Sequence, residues 1–600
     1  MGKKTTQIKV RNILLAAILI LSILASASCS GIQSLFDSLK ETKNEQAIKD
    51  ATAVLDDLDF VQLEEAATSS YLDMYYLLSD PAALSIATPP PTLGDFSYDE
   101  HMEDNEEAKE ILSELDKIDP TILPQDYQIL YDVLKYDMEE VLEFEDYYYF
   151  GSAFNSITGV QSNLPITLVQ IDFTDKQSIE NYILLVTDVY RYYEDCLNYE
   201  KERAALGLTV ADEYLDLLIE SCQSMLDGQE DHFMRTSFAE RLNAVTELTD
   251  AEKQDFITRH DLALTESFFP AYDMLIEGFA ALKGSSTNDG GLCNVELGKE
   301  YYAAYFKVRS GTDLSPNEGI KAIEAAIDNF YDEVYAMDLS SDAFWDEYYA
   351  TVFSKGTMQE NLDYCIANIT EDFPALPEHD LILQQVPSQI EEFFSPAAYF
   401  TCRIDNPEKN VIITNESAME GETNILDTMA HEGYPGHLYQ NVYHATNIKN
   451  YYQRIASFTA FSEGWAEYSG EYILTGTDYD SKMVAVEYLD MQFQKLMMAR
   501  VDIGVNYEGW DKAGVASYLA DYGMDYPEYV DWVWGISIEI PCYITPYCFG
   551  QLETVDIIEE AVEKLGDDVP MIDIHTAYLQ IGPAPFTIIE KYMDEFVNNT

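Results

Sequence analysis

HEGYPGH, residues 431–437, sets two imidazoles and a carboxylate close together and then parts them with a Pro between two Gly. Two His one helical turn apart around a Glu, H-E-x-x-H, form a zinc-binding face, but here the second His comes two residues late. On a regular helix, at about 100° per residue, His431 and His437 would point roughly 240° from each other. Pro435 changes this, because it offers no N–H to the carbonyl of His431 and its ring collides with that turn. If residues 433–436 bulge outward by two residues, His437 regains the phase of the fourth position after His431. Both rings can then share a metal with Glu432 beside it. The competing reading is a helix that ends at Pro435 and two unrelated His. His444 lies about 10 Å further along the axis than His437, too far to share one ion, and reads as a plain helix residue.

A zinc site needs a third protein ligand and an open position. Downstream, SFTAFSEGWAEYSGEYIL (457–474) reads as a helix with Glu463, Glu467 and Glu471 spaced by four. One of these can face the metal while the next supports it; a solvated acidic face is the alternative. Gly464 permits close helix approach and Trp465 offers packing.

Ahead of the motif, YFTCRI (399–404), DNPEK and NVIITN (410–415) read as a β-hairpin from their β-branched content and breakers. Its edge can pair with an extended peptide. Elsewhere the pattern is helical. Thr174 to Gln177 has capping-box spacing ahead of a periodic run ending at Gly207, and Ser315-Pro-Asn-Glu318 opens another. SSTNDGG (285–291) is the best linker or surface loop. The expected fold is mostly α with a small β-hairpin or sheet beside the motif helix.

Six hundred residues with 47% apolar content suffice for a substantial core. Lys3, Lys4, Lys9 and Arg11 precede an apolar run, ILLAAILILSILASA (13–27), ending in small residues before Cys29. That is the order of a secretory signal, shorter than a membrane span. SASC resembles a bacterial lipoprotein cleavage box, which makes Cys29 the lipidated residue and anchors the protein to a membrane; a retained N-terminal anchor is the alternative. Loss of those four cations makes the chain more negative still than −74. Such a surface repels phosphate backbones, so nucleic acid is excluded as a partner. The remaining seven Cys are scattered without C-x-x-C spacing and read as buried thiols; Cys542 and Cys548 alone are close enough to raise the question of pairing.

The motifs together resemble the bacterial family catalogued as domain of unknown function 885, regarded as zinc-peptidase-like. Its hallmark, H-E-x-x-P-G-H followed by E-G-W-A, stands here as HEGYPGH and Glu463-Gly-Trp-Ala466. The similarity extends through SITGVQSNLP (156–165), RVDIGVNYEGW (500–510), Pro541 to Gly550 and IHTAYLQIGPAPF (574–586), covering about residues 145–600. The resemblance implies a gluzincin-like metallopeptidase fold, zinc held by His431, His437 and Glu463, and Glu432 as the catalytic carboxylate. Asn506 replaces the family's usual His, Pro541-Cys-Tyr-Ile544 replaces P-G-Q-A, and Gly470 replaces a later Glu.

The chain is therefore divided into a lipoprotein signal (1–28), a tether (29–55) and one large helical domain (56–600), with an N-terminal part (56–290) and a metal-bearing part (291–600). The expected function is extracytoplasmic, zinc-dependent hydrolysis of a peptide substrate. Glu432 serves as base, Tyr547 first and His575 second as oxyanion donors, and Glu467 and Arg500 as support, with Arg500 also a weaker oxyanion donor. A non-catalytic lipid-anchored binding protein and a metal-dependent amidase acting on cell-wall or other non-protein amides are the alternatives.

Overall fold

Residues 29–55, read from sequence as a polar tether, are helical. They form the first part of helix α1 (Cys29–Thr68), whose later turns bury Leu55 and Leu63 completely. Asp59 on the same helix accepts from the backbone N–H groups of Tyr451 and Tyr452, at 3.0 and 2.7 Å, and so ties α1 to the chain just beyond the motif. The computed structural model describes residues 29–94, 96–387, 391, 394–419 and 421–600. The signal segment lies outside the described residues, and Cys29 is described only as the backbone start of α1. No described helix is long and apolar enough to cross a membrane.

Helices dominate the fold. Helix α2 (Lys176–Ala205) starts one residue later than the sequence suggests: Asp175, not Thr174, is its cap, exchanging hydrogen bonds with Ser178. An Asp carboxylate outcompetes the Thr hydroxyl for the free N–H groups of the first turn. Helix α3 (Pro316–Ala336) carries the expected Ser315–Glu318 box. The 285–291 segment is a pinned loop in which the Asn288 amide donates to the carbonyls of Gly290 and Gly291. The parts before and after it share a core, since Leu130 and Leu134 pack with Leu426, Met429 and Trp465. The seven Cys beyond Cys29 are all free thiols.

Three strands, β1 (Asp380–Gln385), β2 (Ala397–Phe400) and β3 (Lys409–Thr414), form a sheet in the order β1-β3-β2. The antiparallel β2–β3 pair, with Tyr399 opposite Ile412, is the expected hairpin with its first strand displaced: β2 ends at Phe400 instead of running over 399–404. β1 adds a parallel partner that sequence did not announce, with Ile382 opposite Val411. Central strand β3 is covered on both faces: Ile412 enters one core, Val411 and Ile413 another. This explains its unbroken apolar run, since a strand buried on both sides loses the usual alternation. β2 is left as the edge beside the motif.

Burial dominates several carboxyls. Desolvation holds Asp59 and Asp137 up to about 6, and desolvation with the neighbouring Asp137 charge holds Glu140 up to about 8. Above about pH 4 the native chain therefore keeps protons that the unfolded chain releases, so this stabilisation is lost as pH rises from about 4 through about 8. The mutual repulsion of 108 acidic residues acts in the same direction. Calorimetric melting should show a midpoint that falls steadily across that range.

Candidate metal centre

Helix α4 (Ile425–Glu432) starts at Asn424, whose side chain accepts from the N–H of Asp427. It carries His431 and Glu432 in its last turn and then opens. The Gly433 N–H still reaches four residues back, to Met429, but that of Gly436 reaches six back to Ala430 (3.0 Å), and that of Tyr439 six back to Gly433 (3.1 Å). The two-residue step expected from Pro435 is present in these bonds. It takes the form of an interruption rather than a bulge in one helix, because α5 (His437–Asn447) starts afresh. Gly436 lies so close to the end of α4 that a Cβ there would stand 1.9 Å from the His431 carbonyl oxygen.

Helix α6 (Thr459–Thr475) supplies Glu463. It packs backbone against backbone on α8 (Thr545–Leu565): a Cβ on Gly464 would meet the Gly550 carbonyl oxygen at 2.2 Å, and one on Gly550 would meet the Ala460 oxygen at 2.3 Å. Trp465, fully buried, donates its indole N–H to the carbonyl of Pro435 at 2.7 Å. The second motif thus grips the turn of the first.

Between them the His431 and His437 rings stand edge to face with centroids 4.7 Å apart. Glu463 Oε2 lies 3.4 Å from His431 Nε2 and 3.3 Å from His437 Nε2, and it is buried without a hydrogen bond. Donors about 2.0–2.1 Å from a tetrahedral zinc are about 3.3–3.4 Å from one another. Two imidazoles and an otherwise unpartnered carboxylate at that spacing fit a divalent ion, and these three side chains form a cluster able to hold one.

Without an ion the cluster holds a proton. Burial opposes the imidazolium of His431, but Glu463, Glu432 and Glu467 outweigh it and hold this ring up to about 10. Metal entry must therefore displace that proton. Zinc affinity should rise with pH from neutral toward about 10, and calorimetry in buffers of different ionisation enthalpy should show proton release. Glu463→Gln should lose stoichiometric zinc, read by metal analysis. Trp465→Phe leaves the buried Pro435 oxygen without its donor and should cost about 1–3 kcal/mol, read in denaturant melts.

Glu432 is adjacent to the cluster without belonging to it; its Oε2 accepts from the Tyr399 N–H of β2 at 2.7 Å, and burial raises its pKa. Tyr547 lies parallel to the His431 ring, with centroids 6.4 Å apart, and Tyr543 flanks it. Glu467 pairs with Lys495 of α7 (Ser481–Ile503), and Glu471 faces away toward Tyr488. Asp427 fills the place left by the Gly470 departure, since a Cβ there would lie 2.1 Å from Asp427 Oδ1. Lys495 and Asp427 escaped the sequence reading; the one available signal was Lys495 inside the largely apolar second half of α7. Two expected residues lie elsewhere. His575, on α9 (Met571–Ile581), is fully buried, with Nδ1 bonded to the Asp372 carbonyl and Nε2 to the Tyr468 hydroxyl. With both nitrogens occupied, it is part of the core rather than an oxyanion donor. Arg500 pairs with Glu508 at 2.7 Å and stacks over Trp510, in a cluster separate from the histidines. Asn506 is a structural amide bonded to Leu292, Asp502 and Ser537. His444 is a buried residue of α5.

The crystal structure of a candidate lipoprotein from Colwellia psychrerythraea is similar over 93% of this chain and 99% of its own, with a TM-score of 0.76 and 17% identity. The structure of a candidate lipoprotein of unknown function from Shewanella oneidensis is similar over 90% of this chain and 99% of its own, with a TM-score of 0.60 and 15% identity. At such identities these likenesses establish the fold alone. No curated protein matches the chain. The model of a bacterial protein family of unknown function, DUF885, matches residues 90–593, and the chain belongs to that family.

Proposed function

We propose that the protein is an extracytoplasmic, zinc-dependent peptidase of gluzincin-like architecture, held at the membrane by a lipid on Cys29. The observation that carries this reading is the position of Glu432. A site built only to hold a metal has no use for a second buried carboxylate beside the donor cluster, whereas hydrolysis needs a base there. His431, His437 and Glu463 would hold zinc, which when bound supplies Lewis acidity toward a carbonyl and toward water.

Glu432, poised by the Tyr399 N–H and raised by burial, takes the proton of the attacking water and delivers it to the leaving amine. Tyr547 is held far above its ordinary range, first by burial and then by the Glu463 charge, so its phenol keeps the proton with which it steadies the developing oxyanion. The outer edge of β2 offers backbone groups to an extended substrate. The signal-like N-terminus and the description of two structural relatives as candidate lipoproteins support the anchored location.

The second reading is a lipid-anchored protein that binds a metal or a peptide without turning it over. It needs only the donor cluster, and neither structural relative is described as an enzyme. A mixed peptide library incubated with the zinc-loaded protein separates the two. Chelator-sensitive cleavage restored by zinc is expected, and Glu432→Gln should keep its zinc while losing about 10²–10⁴-fold in rate. Absence of chelator-sensitive cleavage selects the binding reading.

A further inference from the structure

A cleft of about 390 Å³ leads away from His437 and Glu463. One wall is a face of α5, from His437 through Gln440 to His444, and the other includes Tyr399 and Thr401 at the β2 edge. Two polar nitrogens on the α5 wall have no partner: Nε2 of Gln440 and Nε2 of His444, on residues 1% and 6% exposed. Buried donors and acceptors are ordinarily satisfied, so their loneliness marks a place where a ligand's polar groups belong.

The charge of this cleft is inverted relative to the molecule. The chain has 108 Asp and Glu against 34 Lys and Arg, yet among the described residues the only acid lining the cleft is Glu463, already committed to the donor cluster. Among the described residues its only Lys or Arg is Arg454. The Arg454 Nε donates to the Ile448 carbonyl at 2.6 Å and Nη1 to that of Ile404 at 3.2 Å. No carboxylate pairs with the guanidinium among the described residues; Asp59, the acid acting on it, is taken up by the N–H groups of Tyr451 and Tyr452. Beyond Ile455 to Ser457, which form a shared wall, lies a basin with Glu65, Glu107 and Glu140. A substrate anion therefore finds its counter-charge at Arg454 and repulsion further on.

Resting on the peptidase reading, we propose that this cleft takes the carboxyl end of a short peptide, with Arg454 as the anchor for its terminal carboxylate and Gln440 and His444 binding the backbone between. Ile448 caps α5 and His437 begins it, so the guanidinium sits about 10–16 Å from the donor cluster at ~1.5 Å per residue. Allowing about 3 Å for the ion contact and about 3.3–3.6 Å per extended residue, two to four residues lie between the scissile bond and the terminus. The protein on this account trims short peptides from the carboxyl end.

The test uses the zinc-loaded protein and fluorescent pentapeptides in pairs that differ only in a free acid or a carboxamide at the C-terminus, with a second pair differing by Asp or Asn at the third position. The free acid should be cleaved about tenfold or more faster in kcat/KM, with released fragments of two to four residues. Gln440→Glu, which leaves the carbonyl contacts of Arg454 alone, and Arg454→Gln, checked for folding by its melt, should each drive the acid-to-amide ratio toward one. Arg454→Lys should restore part of the preference. A preference that follows Asp over Asn instead assigns the anchored carboxylate to a side chain and keeps the anchor. Equal rates within both pairs overturn the proposal. If no peptide is cleaved, the peptidase reading fails by itself, and anisotropy binding of the same pairs decides the cleft: tighter binding of the acid keeps it, and equal or absent binding overturns it.

Discussion

One buried hydrogen bond, from the indole of Trp465 to the carbonyl of Pro435, holds the centre together. A Pro in the middle of a helix frees carbonyls that must find other donors. Here the chain meets that demand by stepping two residues out of helical register, with Gly436 turning back on Ala430, and by calling in a donor from α6. The consequence is that two segments distant in sequence are fixed against each other by the same atoms that repair the break. Glu463, two residues before Trp465 on the same helix, arrives at the two imidazoles because the break is repaired there. The paired glycines at 464 and 550 let α6 come close enough to α8 for this to happen.

Much of this was legible in the chain itself. Pro435 in a His-Glu motif forces a departure from the regular helix whatever the surroundings, and the size of the departure follows from the spacing of the histidines. The β2–β3 pair was legible for a similar reason, since its signals are local. What was not legible came from contacts distant in sequence. β1 earns its place by pairing with β3, not by any strong pattern of its own. Asp427 occupies the space of a missing side chain at Gly470, a substitution visible only when α4 and α6 lie side by side. His575 illustrates the converse error: a polar residue in a segment resembling a family looks functional until its partners, Asp372 and Tyr468, are seen to occupy both ring nitrogens.

Electrostatics in this molecule is a matter of placement against a strongly negative background. Many of the described cations pair with a carboxylate, while others, Arg241 and Arg403 among them, bond to backbone carbonyls. Two positions are informative: Lys495, drawn inside to pair with Glu467 one turn beyond the donor cluster, and Arg454, held by two carbonyls beside the Tyr451 ring. The first offsets negative charge behind the histidines, where Asp427 is held up to about 7 by burial and by Glu467. The second leaves positive charge unspent in a cleft.

Strand β3 is fastened on both of its faces. Because Ile412 belongs to one core while its neighbours Val411 and Ile413 belong to another, the strand acts as a rivet through two plates. Neither body of helices can loosen without withdrawing side chains that the other has enclosed. The edge that faces Glu432 is hydrogen-bonded to that rivet along its whole length. The edge beside Glu432 is thereby anchored in the interior, and loosening of the helices around either core bears on the whole sheet.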